Sequence, residues 1–184
     1  SLIERIKSQF ENDTSGHDWH HIMRVHENSK YIQSQEGGDL EVVELVALLH
    51  DISDHKLNGG KMDQGGIEAA RILTELGYEQ GMIQKVSGLI DHISYKGAQV
   101  ADKAICIEQQ IVQDADRLDA IGAIGVARAF AYGGHKDRPI YSPEVKPEMH
   151  GSFEKYANSK SHTINHFYEK LLLLKDRMHT ETGK

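Results

Sequence analysis

One cysteine, Cys106, is all the chain contains. A lone thiol excludes an internal disulfide and a thiolate cage around a metal ion. It leaves Cys106 as a small, half-buried apolar residue. Proline is nearly as scarce. All three, Pro139, Pro143 and Pro147, fall between Gly133 and Gly151, a stretch without hydrophobic period. Long loops of that kind are often functional. No basic run interrupts a chain whose formal net charge is −7 with histidine neutral. That argues against a binder of nucleic-acid backbone, but leaves room for a small phosphorylated ligand held by a few local cations. No apolar run approaches about eighteen residues and no signal peptide is visible, so a soluble cytoplasmic protein with no membrane partner is expected. No segment alternates with period two for long, which leaves little room for a sheet.

What is there is helical period. The 184 residues suit one domain, 1–184, with an ordinary charged fraction and enough core to fold without staples. Leu2, Ile3, Ile6 and Phe10 share one helical face. A second helix is expected from about Asp18 to Gln35, stopped by Gly37-Gly38, with Asp39 free to cap the next. That next helix, Leu40–His50, is apolar on nearly every side, the pattern of a buried helix. Asp63 can cap a helix running to Leu76, with Gly77 in the C′ position. Met82 to Ile93 form another amphipathic helix, and Lys103 to Tyr132 reads as mostly helical with a break near the middle. Its Gly122 and Gly125 cost helix propensity and are expected to allow close helix–helix approach. One last helix is expected from about Ser152 to His179. The fold class is therefore all-α, a single bundle of roughly six or seven helices.

The buried helix ends on two polar residues, His50-Asp51. An imidazole and a carboxylate in such a place need partners or a metal. His21, flanked by Ile22 and Val25, is a candidate for the interior, whereas His17 and His20 read as a solvated polar face. In QDADRLDAIGAIGVA, Asp116 has Val112 one turn before it and can point inward, while Asp114 and Asp119 are compatible with simple exposure. His21, His50, Asp51 and Asp116 together make two imidazoles and two carboxylates from three helices. That set suits one divalent transition ion with open positions, Mn, Co, Ni, Fe or Zn. Mg is less suited because it prefers oxygen. A closed structural zinc site would usually contain cysteine.

The ordered pattern His21…His50-Asp51…Asp116, with the strings HDWHHIMRV, ALLHDISDHK and IVQDADRLDAIGAIGVAR, resembles the HD superfamily of metal-dependent phosphohydrolases. The flanks, and the C-terminal NHFYEKLLLLKDRMHTETGK, look like a bacterial subgroup of small single-domain HD hydrolases. The resemblance implies an all-helical fold, one metal on those four residues, and hydrolysis of phosphate esters or anhydrides, often of nucleotides.

A bound divalent ion would polarise a phosphoryl oxygen and lower the pKa of an attacking water. An acid must then protonate the leaving oxygen. Asp54, three residues after Asp51, is the candidate acid or water-positioning group. Arg24, Lys56 and Arg117 lie near the ligands in sequence and can bind phosphate oxygens, and Arg138 in the proline-bearing loop can close over a substrate. His92 is a candidate for the first of two extra histidines that two-metal relatives carry. No histidine lies between it and Ala115 to be the second, so one metal is favoured and His92 becomes a substrate-side acid or phosphate contact. The expected function is hydrolysis of a nucleotide, as a nucleoside triphosphate pyrophosphohydrolase or a nucleotidase. A non-catalytic nucleotide-sensing module and a di-iron oxygenase are the alternatives. Partners are expected to be a small phosphorylated molecule and no nucleic acid, and a homodimer stays open.

Overall fold

The structure is a computed structural model that describes residues 1–14, 16–52, 64–101, 104–157, 159 and 161–184. Among these every regular element is helical and there is no strand: α1(Leu2–Phe10), α2(Trp19–Glu36), α3(Leu40–Leu49), α4(Gly65–Glu75), α5(Gln80–Ile90), α6(Ile107–Asp119), α7(Gly122–His135), α8(Phe153–Ala157), α9(Thr163–Glu169) and a 3-10 segment, Leu171–Arg177. The first three helices start where short polar side chains, Ser1, Asp18 and Asp39, accept an orphan backbone N–H. Asp18 accepts from His21 N–H at 2.8 Å at the head of α2, and Asp39 from Val42 N–H at 3.3 Å at the head of α3. The Asp63 cap expected for α4 lies outside the described residues, and Gln64 stands at the N-cap without capping the helix through its side chain.

The core is organised around α3. Its Val42, Val43, Leu45, Val46, Ala47, Leu48 and Leu49 are all buried, as its all-round apolar pattern requires. Helices α2, α3 and α6 pack on one another, and the α4–α5 pair closes the side of α3. This is the larger apolar cluster, from Leu2 to Ala115. A smaller one, Tyr95, Ala129, Leu171 and Leu174 with Tyr156 and Phe167 against it, joins α7 to the C-terminal elements.

Two expectations are corrected. The C-terminal helix is not continuous from Ser152 to His179. The proline-bearing loop takes up the first N–H groups of α9: Thr163 N–H donates to Pro139 O at 2.9 Å and Ile164 N–H to Ile140 O at 3.1 Å. His162, in extended backbone, caps that helix by accepting Asn165 N–H on Nδ1 at 3.2 Å. Nor do Gly122 and Gly125 serve helix–helix approach. Gly122 turns the corner into α7 at φ +68, and a Cβ on Gly125 would strike the carbonyl of Ala120 in that same corner. The close approaches are at Gly66, where a Cβ would lie 2.6 Å from Ser87 O on α5, and at Gly133, which faces Thr163 of α9.

Candidate metal centre

Three packed helices bring four side chains to one point. His21 leaves the first turn of α2, His50 and Asp51 follow the last turn of α3, and Asp116 leaves the last turn of α6. His21 Nε2 and His50 Nε2 face each other at 3.3 Å. Asp51 Oδ2 lies 3.3 Å from the first and 3.5 Å from the second. Asp116 Oδ1 completes the group at 3.7 and 4.0 Å.

The protons of the two imidazoles are fixed by their other nitrogens. His21 Nδ1 lies 2.7 Å from Asp119 Oδ2, and His50 Nδ1 lies 2.8 Å from Ala47 O. Neither a carboxylate nor a carbonyl supplies a proton, so both Nδ1 atoms are the donors. With both imidazoles neutral, both Nε2 atoms present lone pairs, and so do the two carboxylates beside them. Four acceptors converge with no proton among them, which is unfavourable unless a cation sits at the centre. Ligands about 2.1 Å from a common ion at tetrahedral or octahedral angles stand about 3.0 to 3.4 Å apart, so the group fits a divalent transition ion after a small contraction. The His21–Asp119 bond is the support by which proteins orient an imidazole for a metal. The side chains of His21, His50 and Asp51 are at most 4% exposed, whereas that of Asp116 is 22% exposed, so the centre opens on the Asp116 side.

Without an ion, a proton on His21 Nε2 answers part of the same demand for positive charge, since His21 then donates to Asp119 and to Asp51. Burial works against the Asp51 carboxylate, but the charges of His50 and His17 and hydrogen bonds from His17 and His21 hold its pKa well below the ordinary value. Asp116 is lowered too, against burial, by His50 and His21. For His21 burial acts downward, yet the hydrogen bonds to Asp119 and Asp51 outweigh it and the net shift is upward.

On its open side the centre adjoins a cavity bordered by the smaller apolar cluster. His17, Asp51 and Asp116 line it at one end, Arg128, Tyr132 and Arg138 along one wall, and Tyr95, Tyr156, His166 and Lys170 along another. The Arg138 guanidinium lies over the Tyr132 ring at 5.8 Å, and Lys170 Nζ lies 5.4 Å from the centre of Tyr95.

The structure brings together His21, His50, Asp51 and Asp116, as two triads that share His21, His17–His21–Asp51 and His21–His50–Asp116, and sets Arg138 in the cavity wall. It does not bring Arg24 or Arg117 there. Arg24 is committed to Asp119, with Nε 2.5 Å from Oδ1 and Nη2 3.1 Å from Oδ2. Arg117 is buried on the far side of α6, because one residue on from Asp116 is a rotation of about 100°. It donates to the carbonyl of Arg177 and to His179 Nε2. His92 sits in the turn after α5, accepts from Gln113 Nε2 on its carbonyl at 2.6 Å, and does not line the cavity. Asp54 and Lys56 lie outside the described residues.

Three residues of the site escape the sequence reading. His17 does not face solvent but bonds Asp51, Nδ1 to Oδ2 at 2.8 Å. Asp119 is not exposed; it is buried among His21, Arg24 and Arg128. Arg128 binds Asp119 Oδ2 at 2.7 Å and Gly16 O at 2.6 Å. The available signal for Arg128 was a single charge within the otherwise uncharged α7.

A helical domain that gathers two imidazoles and two carboxylates at one point, open to a cavity lined by Arg128, Arg138, Lys170 and Glu169, has the make-up of a metal-binding hydrolase. The HD domain family matches residues 18–121, more than half of the chain, and the chain belongs to that family. YpgQ of Bacillus subtilis is 37% identical over 183 residues, covering 97% of this chain and 80% of that protein. Its crystal structure in complex with ADP superposes with a TM-score of 0.71 over 98% of this chain and 85% of that one, at 34% identity. A protein from Lactobacillus plantarum gives a TM-score of 0.88 at 33% identity, over 99% of this chain and 84% of that one. An HD-superfamily hydrolase from Bacillus thuringiensis is 40% identical, with a TM-score of 0.69, over 100% of this chain and 83% of that one.

Proposed function

We propose that the protein hydrolyses a phosphate bond of a nucleotide, most readily a nucleoside triphosphate, with one divalent transition ion on His21, His50, Asp51 and Asp116. The observation that carries the reading is the continuity of the four-acceptor centre with a cavity bearing Arg128, Arg138 and Lys170 beside tyrosine rings. When bound, the ion supplies Lewis acidity toward a phosphoryl oxygen and a water of lowered pKa.

The chain's own residues do the rest. Arg138 and Lys170 attract the phosphate chain and hold it by charge-assisted bonds. Arg128 adds positive charge while keeping Asp119 in place. Tyr132, Tyr95 and Tyr156 offer flat faces for a nucleobase. Asp54, three residues beyond Asp51, takes the part of acid or water-positioning group on its spacing, and Lys56 that of a further phosphate contact. His92, away from the cavity lining, is not assigned the acid. The ADP bound by YpgQ supports a nucleotide as the ligand class, and the number of cations favours a polyphosphate.

The test is a panel of ribo- and deoxyribonucleoside mono-, di- and triphosphates with the Mn²⁺-loaded protein, measuring phosphate and pyrophosphate separately. The reading expects turnover on triphosphates with pyrophosphate released, abolished by chelation. Tight nucleotide binding without turnover would instead make the protein a sensor.

A further inference from the structure

We infer that His17 is a positioning residue for the metal centre, acting through the hydrogen bond from its Nδ1–H to Asp51 Oδ2. The inference rests on reading the four acceptors as a metal centre. The bond is 2.8 Å long, and His17 is only 14% exposed. The oxygen it reaches is the one that lies 3.3 and 3.5 Å from the Nε2 atoms of His21 and His50. One carboxylate atom therefore serves both as the candidate ligand and as the acceptor from His17. Because a carboxylate has no proton to give, His17 Nδ1 must carry one, and so cannot itself bind the ion while the bond stands.

The arrangement parallels that of His21. Asp119 orients the imidazole from behind, and His17 orients the carboxylate from the side. One residue links the two supports. Arg128 reaches from α7 to donate to Asp119 Oδ2 at 2.7 Å and to Gly16 O at 2.6 Å. Gly16 has φ +92, and a Cβ there would press on the Arg128 side chain at 3.3 Å. A glycine therefore lets the chain turn tightly against Arg128 and deliver His17 to Asp51. The rings of His21 and Tyr132 stand edge-on to His17 at 5.5 and 6.2 Å and fix its plane.

Two isosteres separate the bond from mere packing. The amide nitrogen of asparagine occupies the place of Nδ1, and that of glutamine the place of Nε2. Mn²⁺ affinity, measured by competition with a chelator, is expected to weaken about 10- to 100-fold in His17→Ala and His17→Gln, the usual worth of an outer-shell partner. His17→Asn is expected to recover most of the loss. Wild-type affinity in His17→Ala overturns the inference and leaves the centre standing. Equal losses in the asparagine and glutamine variants, at equal melting temperature, overturn it as well. If His17→Ala does not fold, the Asn–Gln comparison alone decides. A wild-type protein that binds no Mn²⁺ overturns the centre and this inference together.

Discussion

Asp119 contributes no atom to the ion position, yet it holds His21, Arg24 and Arg128 at once. Burial opposes its charge, but hydrogen bonds from His21 and Arg24 hold its pKa well below the ordinary carboxylate value. Truncating one member of a buried ionic network leaves the others uncompensated. Asp119→Ala is therefore expected to cost about 3 kcal/mol or more in urea denaturation of the metal-free protein, and to weaken metal binding by freeing the His21 ring. Arg24 gives the converse expectation. Its side chain is 37% exposed and Asp119 would keep His21 and Arg128, so Arg24→Ala should cost less than Asp119→Ala, about 1.5 to 3 kcal/mol for the lost charge-assisted bonds. The KM for a nucleotide should stay within about twofold of wild type, because Arg24 is tied away from the cavity. A tenfold rise in KM would restore it as a phosphate contact. The reason sequence reading separated His21 from His17, and Asp116 from Asp119, is plain at this scale. Flanking apolar residues mark His21 as buried, whereas His17 and Asp119 are buried by partners contributed from α3, α2 and α7.

At the scale of elements, Glu108 ties three helices. From the first turn of α6 it accepts the backbone N–H of Asp39 at the head of α3, at 3.2 Å, and Lys85 Nζ of α5 at 3.3 Å. Burial raises its pKa, but bonds from its own backbone N–H, Cys106, Asp39 and Lys85 prevail and hold it at about 2 rather than the ordinary 4.5. A depressed carboxyl stabilises the fold at pH values above its unfolded pKa, and that contribution is lost as pH falls through the folded value. Wild-type stability should therefore fall between pH 4.5 and about 2, and Glu108→Gln should flatten that part of the profile in urea denaturation. An unchanged slope would show that this carboxylate is not coupled to folding. Helices α1 to α3 were legible in the sequence because caps and apolar period agree there, most clearly in α3, and α4 to α6 through apolar period. The C-terminal segments were not. Their apolar residues keep a helical spacing, but the breaks are made by Pro139 and Ile140 carbonyls that only tertiary structure brings to Thr163 and Ile164.

At the scale of the whole molecule, the centre is assembled by packing α2, α3 and α6 and has no counterpart in the unfolded chain. A ligand that binds only the folded state stabilises it by mass action, about 2.7 kcal/mol at a free concentration one hundred times Kd. Saturating Mn²⁺ should raise Tm by several degrees over protein held in chelator, and the rise should vanish in Asp51→Ala. A thermal shift of the same size in Asp51→Ala would place the ion elsewhere. The sequence displayed the four candidate ligands as a set because each stands in an apolar or strongly patterned setting. It concealed the cavity, because its walls come from α7, α9 and the turn before α2, which meet only in three dimensions.

The central claim is that these four side chains hold one metal ion. It is tested most directly by titrating the purified protein with Mn²⁺ and following free Mn²⁺ by electron paramagnetic resonance. The account predicts saturation at one ion per chain in the wild type, with the tight site gone in both Asp51→Ala and Asp116→Ala. Saturation at two tight ions per chain, or one tight ion surviving in either variant, would contradict it.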